Sequence, residues 1–160
     1  MITILETFYV RIVGQRVHYQ RKRLSLSRKK SDPDKLIWSH IRHNRGGMAA
    51  EDHEFIVHST SWRYERPGKT ILTYITYSDE LTFKKVKAGS ISLKHLRTVT
   101  RKTRKPRSPA ELEKKVVSHA IRHIAFLIKT DDQIDFKSAM KPETMETFES
   151  LWVSLAGRVF

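Results

Sequence analysis

Two histidines in this sequence have a spacing that suits metal binding. His119 and His123 are four residues apart, so on a helix both rings would lie on one side, within reach of one ion. A zinc-protease helix needs glutamate directly after its first histidine, and Ala120 occupies that position. The two rings would also flank the apolar side of the helix, which favours hydrogen-bonded histidines at the edge of the core. We therefore predict no metal ligand here and no cofactor.

A second group of histidines has side chains suited to acid–base chemistry. His40 and His43 lie among arginines, and His58 follows in a predicted strand. Paired imidazoles can cleave a phosphodiester without a metal when arginine or lysine stabilises the charge that develops. Nothing in the spacing requires the three rings to meet. We keep a metal-independent phosphodiesterase as a second alternative, and we assign no catalytic residue.

Several other features exclude familiar catalytic centres. The chain of 160 residues has no cysteine, which excludes disulfides, thiolate zinc sites and cysteine nucleophiles. Gly46-Gly47 lacks the lysine and hydroxyl residue of a phosphate-binding loop. Acidic residues such as Asp131 and Asp135 stand at predicted element ends and turns, where solvated capping is their usual role.

Positive charge is concentrated in two segments. The formal net charge is +14. Residues 1–45 hold 11 Lys/Arg against 3 Asp/Glu, and residues 84–107 hold 10 Lys/Arg and no acid. Segregated charge of this kind indicates a polyanionic partner, nucleic acid first and an anionic membrane surface second.

Aromatic residues beside some of these cations suggest how a nucleic acid would bind. Trp62, Tyr64, Tyr74 and Tyr77 occupy two predicted adjacent strands, and we expect two of the four to be in the core. Exposed rings next to cations form a stacking platform for single-stranded nucleic acid. The predicted nucleic-acid-binding residues are Arg21, Lys22, Arg23, Arg63, Arg66, Lys69, Lys84, Lys85, Lys87, Arg101, Lys102, Arg104, Lys105, Arg107, Trp62 and Tyr64.

The elements that must position these residues begin with a β-hairpin over about 54–79. Both arms are rich in β-branched and aromatic residues, and Pro67-Gly68 between them suits a type II turn. Strict alternation would place His58, Trp62 and Tyr64 on the same side of the first arm.

Two helices are predicted after the hairpin. Ser108, Pro109 and Glu111 form a helix start with a capping box, and an apolar stripe continues to about residue 129. A second helix is predicted over about 142–156. Strands followed by helices predict an α+β fold, in which an antiparallel sheet around the hairpin carries both helices on one face.

The N-terminal segment is predicted to stand apart. Residues 1–13 favour a strand, but the segment up to residue 35 is rich in Lys/Arg and poor in apolar residues, so we predict a basic, mobile arm over 1–35 and a single domain over 36–160.

No apolar run is long enough to span a membrane, and we expect a cytoplasmic protein. The leading hypothesis is a weakly sequence-specific nucleic-acid-binding protein, with RNA favoured over DNA. The first alternative is a non-catalytic protein that binds a protein partner or forms a homodimer.

Overall fold

The computed structural model describes residues 2–26, 32–44, 54–82, 88–99 and 105–156. Within these ranges the strands are β1 (Ile2–Val13), β2 (Arg16–Ser25), β3 (Ile56–Arg66), β4 (Lys69–Tyr77) and β5 (Gly89–Ser92). The helices are α1 (Pro33–Asn44), α2 (Leu93–Val99), α3 (Pro109–Thr130), α4 (Phe136–Ala139) and α5 (Pro142–Ala156). The α+β class and the two long C-terminal helices are confirmed.

The strands form one five-stranded sheet in the order β3-β4-β1-β2-β5. β1 pairs with β4 in parallel, and the other three pairings are antiparallel. The sheet is therefore mixed, where the sequence predicted an antiparallel one. A parallel pairing joins segments far apart in the chain, so no local turn motif in the sequence predicts it.

The segment predicted as a basic arm contains two of these strands. β1 is the middle strand, and β2 lies between β1 and β5. Val17 and Tyr19 on β2 are buried in the core, while the arginines farther along the strand keep their charged ends partly exposed. The prediction of a separate arm is corrected over residues 2–25, because long arginine stems can cover a sheet while their heads reach polar partners.

The predicted hairpin is formed by β3 and β4. Pro67 and Gly68 make the turn, and Gly68 has φ 77°, the left-handed value that its predicted position requires. Among the described strands, β3 forms one edge of the sheet and pairs only with β4.

The two faces of the sheet are covered by different helices. On one face, which we call the α3 face, Phe8 and Ile75 pack with Ile121 of α3 and Phe148 of α5. On the other, the α1 face, Leu5 and Tyr74 pack with Ile37 and Ile41, and all four side chains are buried. Both faces bury apolar side chains, which explains the near-continuous apolar character of β1.

Local signals fix both long helices. Ser108 accepts a hydrogen bond from the Glu111 amide at 3.2 Å, as the capping box predicts. The Glu111 carboxylate accepts from the amide of Arg107, one residue earlier than the usual box. At the other helix, the buried Asp79 carboxylate accepts from the Lys141 amide at 2.6 Å and from the Thr144 hydroxyl, which attaches the start of α5 to the end of β4.

The remaining described segments complete the fold. Residues 36–44 belong to α1. Residues 91–99 contain the end of β5 and then α2. No helix within the described ranges is long and apolar enough to cross a membrane.

Candidate nucleic-acid interface

A bulge in β3 decides which of the predicted interface residues share a face. Ser59 pairs with Tyr74 and Ser61 pairs with Thr73, so Thr60 is an extra residue on the edge strand. The bulge reverses the alternation beyond it. His58 therefore lies on the α3 face, whereas Trp62 and Tyr64 lie on the α1 face. The prediction that all three share one side is wrong, because it assumed an unbroken period of two.

Trp62 and Tyr64 form an exposed aromatic pair. Their side chains are 62% and 65% exposed, and their rings meet edge to face with centroids 5.3 Å apart. Tyr74 and Tyr77 are buried, and their hydroxyls donate to Asp34 and Asp79. Two of the four aromatics are thus in the core, as expected, and the two exposed ones are those assigned to the interface.

The cations on the neighbouring turn differ in their surroundings. Arg66 is exposed, and no ion pair to it is found among the described residues. Lys69 forms an ion pair with Glu65 across the turn. Arg66 is therefore the cation beside the aromatic pair that is available to a phosphate.

Glu6 gathers three of the other predicted cations into a network on the α3 face. Its carboxylate is fully buried and lies 2.8 Å from Arg63 Nη1, 3.2 Å from Arg23 Nε and 3.8 Å from Arg21 Nη1. The Thr73 hydroxyl also donates to it at 3.2 Å. A buried carboxylate needs such partners, because an isolated charge away from water is very costly.

Two further carboxylates extend this network. Glu113 of α3 lies 3.1 Å from Arg21, and Glu65 lies 3.0 Å from Arg23. With Lys69, the network contains four cations and three carboxylates, a net charge of +1. We refer to these seven residues as the Glu6 network: Glu6, Arg21, Arg23, Arg63, Glu65, Lys69 and Glu113. Four predicted phosphate-binding cations are thus already paired.

Lys22 lies on the opposite face from its two arginine neighbours. It is half-buried, and the described residues include no ion pair to it. Nearby, the Tyr9 hydroxyl and His40 Nδ1 are 2.7 Å apart. Burial raises the pKa of Tyr9 to about 12. Burial, followed by the charges of Lys22 and His43, lowers the pKa of His40 from its ordinary value.

The remaining predicted cations lie toward α3 or outside the described ranges. Lys105 and Arg107 are exposed just before the Ser108 cap. The others fall on residues that the structure does not describe, and their assignment stays a prediction: Lys84, Lys85, Lys87, Arg101, Lys102 and Arg104.

The histidines considered for acid–base chemistry do not form one group. His40 packs against Tyr9 on the α1 face, and His43 Nδ1 lies 2.7 Å from the Ser39 carbonyl of its own helix. His58 is on the α3 face, where its Nδ1 lies 3.2 Å from Nε2 of His123. The sheet therefore separates His58 from His40, and the acid–base pairing imagined from the sequence is not formed.

His119 and His123 both face β3, at the edge of the core. His119 Nε2 lies 3.3 Å from the Thr60 carbonyl, and burial, then His58 and His119, lowers the pKa of His123. Among the described residues, no group of three or more His, Cys, Asp or Glu side chains could hold a metal ion. The approach of His58 to His123 was missed in the sequence. The sign that could have indicated this contact is that His58 on β3, like the histidines of α3, stands among apolar residues.

The acidic residues near α4 are helix caps, as predicted. Asp131 follows α3, and its carboxylate accepts from the Gln133 amide at 3.0 Å. Asp135 accepts from the Ser138 amide at 3.2 Å. The buried Glu6, by contrast, has a role that the sequence reasoning missed. The sign in the sequence was that Glu6 is the only acidic residue in the strongly apolar β1.

Comparison with protein-family models, with curated proteins and with solved structures finds no match to this chain. Function must therefore be argued from the site alone.

Proposed function

We propose that this protein binds single-stranded nucleic acid, RNA in preference to DNA, with little sequence specificity. The observation that carries the proposal is the exposed pair of Trp62 and Tyr64 on the α1 face. Every base has a flat π surface, so rings of this kind stack on nucleotides of any sequence, and each stacked base contributes about 1–3 kcal/mol.

Exposure of both rings is the first support. Single exposed apolar residues are ordinary, but two large aromatics that touch each other on a strand form a continuous apolar patch. The sheet places Trp62 opposite Leu72 and Tyr64 opposite Thr70, so the patch continues onto β4. Bases of a single strand can be splayed onto such a surface, whereas bases within a duplex stay stacked on each other.

Charge is the second support. Arg66 stands at the end of the same strand with its charge available, and the whole chain carries a net charge of +14. A field of this sign raises the rate and strength of encounter with any polyanion, and the strength falls as salt is added. The cations of the Glu6 network contribute to that field as a group with net charge +1 and hold their carboxylates in preference to phosphates.

The test is fluorescence anisotropy with a labelled single-stranded RNA of about 12 nucleotides, a length within the range that one small binding surface covers. The variant carries both Trp62→Ala and Tyr64→Ala. We expect affinity to fall at least about tenfold, because two stacking contacts are removed. The matched control is Phe126→Ala, which removes a 45% exposed aromatic ring on α3.

Two results would contradict the proposal. One is a double variant that binds RNA as tightly as the wild type. The other is no binding by the wild type at concentrations of tens of micromolar and about 0.15 M salt, where non-specific binders are already detected. Competition with unlabelled DNA of the same sequence and with duplex RNA would measure the preference for single-stranded RNA.

A second candidate is association with protein through the outer edge of β3. This strand has eleven residues and pairs on one side only, and edge strands of this kind can add a further strand. Sedimentation equilibrium separates the two functions. A dimer that is lost with Trp62→Ala and Tyr64→Ala, together with no RNA affinity, would favour this candidate.

A further inference from the structure

The even-numbered residues of β2 form a row of polar side chains on the α1 face. Val17 is buried in the core of the α3 face, so alternation along the strand turns its even-numbered neighbours the other way. The pairing of β2 with β1 runs without a bulge, so this alternation is unbroken. We call the three basic members of the set the β2 row: Arg16, His18 and Lys22. The row extends over about 20 Å, at about 3.3 Å per residue.

The β2 row has no carboxylate partner in the part of the chain that the structure describes. Arg16 is exposed, and its Nε donates to the Ser90 hydroxyl, a neutral acceptor, at 2.7 Å. His18 and Lys22 are half-buried, and β2 and β5 contain no acidic residue that could pair with them. The odd-numbered arginines of the same strand, by contrast, pair with the buried Glu6. Only the α1 side of β2 therefore keeps its positive charge unbalanced.

Arg11 of β1 adds a fourth basic side chain beside the row. It pairs with His18 across the two strands, and its Nη1 donates to the Leu81 carbonyl at 3.0 Å. Its Nε is buried, with no hydrogen-bond partner among the described residues. Half-buried cations without a counter-charge are costly, so an anion bound over the row would offset a cost that the fold leaves in place.

We propose that the β2 row and Arg11 bind backbone phosphates of the single-stranded nucleic acid whose bases stack on Trp62 and Tyr64. This inference rests on the proposed function and adds a second contact region to it. Guanidinium and ammonium groups are the side-chain cations that recognise phosphate oxygens, and the ring of His18 can donate one further hydrogen bond. Contacts of this kind fix the position of a strand without reading its bases, which agrees with weak sequence specificity.

The separation between the aromatic pair and the row suits one strand of nucleic acid. Four successive strands of the sheet bring these residues side by side: Trp62, Leu72, Leu5 and Leu24. At about 4.8 Å per strand, and with Lys22 two residues farther along β2, Trp62 and Lys22 are about 16 Å apart. Twelve stacked nucleotides extend over about 40 Å. This length lets a strand pass around α1, which packs on the sheet between the two regions.

His40 of α1 provides a reporter for an anion on the row. Burial, then the charges of Lys22 and His43, lower the pKa of His40. A phosphate bound to Lys22 would balance the charge of that lysine, so the pKa of His40 should rise when the row is occupied. The lowered pKa of His123, on the opposite face of the sheet, should not change.

The first experiment compares two double variants in anisotropy titrations of the labelled RNA at several salt concentrations. Arg16→Gln with Lys22→Gln removes two cations of the row. We expect the slope of log affinity against log salt to fall by about two, one for each lost phosphate contact, and affinity near 0.15 M salt to fall about tenfold. The matched control, Lys137→Gln with Lys141→Gln, removes the same charge from exposed positions beside α4 and should leave the slope unchanged.

The second experiment uses sodium tripolyphosphate, which has phosphates but no base, to test the row without stacking. NMR titration of the His40 ring should give a higher pKa with tripolyphosphate than with sodium chloride of equal ionic strength. Tripolyphosphate should cause no such rise in Arg16→Gln with Lys22→Gln. The proposal is overturned if that double variant keeps the wild-type salt slope, or if tripolyphosphate leaves the pKa of wild-type His40 unchanged.

The stacking variant, Trp62→Ala with Tyr64→Ala, separates failure of this inference from failure of the proposed function. If affinity falls in the stacking variant and the row variant binds as the wild type does, the proposed function stands and the row is not part of it. If only the row variant loses affinity, the row is supported and stacking is contradicted. No RNA binding by the wild type overturns both. Binding to phosphatidylserine vesicles that needs the row, with RNA affinity unchanged, would assign the row to a membrane surface and also overturn the proposal.

Discussion

The two faces of the sheet use the same kinds of residue in opposite ways. On the α3 face, Arg21, Arg23 and Arg63 converge on the buried carboxylate of Glu6. On the α1 face, Lys22 has no carboxylate partner among the described residues, and Trp62 keeps most of its surface exposed. Arg23 and Lys22 are adjacent in the sequence, yet one is neutralised and the other is not.

This difference shows that a count of cations overstates the charge that a partner can use. The Glu6 network holds four cations and yields a net +1, so its arginines act mainly within the fold. Their stems also cover the sheet beside Glu113, near the start of α3. On the α1 face, no ion pair to Lys22 is found among the described residues. Binding should therefore follow the aromatic pair and its nearby cation, while stability should follow the Glu6 network.

Replacement of the buried carboxylate should have the largest effect on stability. Glu6→Gln leaves three arginines around a neutral side chain, so we expect the free energy of unfolding to fall by about 3 kcal/mol, as when one partner of a buried ion pair is removed. Urea denaturation followed by circular dichroism measures this.

The control for Glu6→Gln is the same substitution at Glu80. Glu80 is exposed, and its nearest described cation, Lys141, is 4.0 Å away, so its ion pair should contribute less than about 1 kcal/mol. If Glu6→Gln costs no more than Glu80→Gln, the network does not stabilise the α3 face and the contrast between the faces fails.

A matched pair of arginine substitutions tests whether a cation inside the Glu6 network serves stability and one outside it serves binding. Arg63→Ala breaks contacts with Glu6 and Thr73 and should cost about 1–2 kcal/mol of stability, with little change in the salt dependence of RNA binding. Arg66→Ala should change stability by less than about 0.5 kcal/mol. It should reduce the slope of log affinity against log salt by about one, the value for one lost phosphate contact.

Anisotropy titrations at several salt concentrations, combined with urea denaturation, measure both quantities for both variants. Equal slopes for Arg63→Ala and Arg66→Ala would show that paired arginines contact phosphates as well, and the division between the Glu6 network and the binding surface would then be wrong.

The parts of the fold that local sequence determines could be predicted. α3 begins at the Ser108 cap, because its capping box and apolar stripe are local to the helix, and α5 occupies 142–156, where Pro142 and an apolar stripe are local signals too. The hairpin turn followed from Pro67 and Gly68 for the same reason. Each of these signals spans only a few residues.

What could not be predicted depends on pairing between distant segments. The parallel pairing of β1 with β4 joins segments more than sixty residues apart, and the partners that bury Glu6 come from β2 and from both arms of the hairpin. The bulge at Thr60 is defined only against β4, and it alone decides that His58 and Trp62 face opposite ways. The sequence therefore identified only part of the candidate interface. It identified Trp62 and Tyr64, but it did not predict the ion pairs of the arginines.

A histidine on the α3 face should produce a pH dependence of stability. Burial, His58 and His119 lower the pKa of His123 in the folded state, so between that pKa and the ordinary value near 6.5 the unfolded chain binds more protons. Stability should be highest above about pH 6.5 and should fall as the pH is lowered through this window. His123→Gln should flatten the fall. Urea denaturation between pH 5.5 and 7.5 in EDTA measures it, and an unchanged profile in the variant would assign the dependence to other groups.

The smallest effect should come from the cation without a partner. The charge of Lys22 contributes, after burial, to the lowered pKa of His40. Lys22→Ala should therefore raise the pKa of His40, although burial should still hold it below its ordinary value. NMR titration of the His40 ring proton measures the change, with Lys137→Ala on α4 as the control. A lysine whose charge is balanced by a nearby carboxylate would not affect the pKa of a neighbouring histidine. An unchanged His40 pKa would therefore mean that the charge of Lys22 is balanced as fully as that of Arg23. The α1 face would then offer a polyanion its aromatic pair without help from the cation on β2.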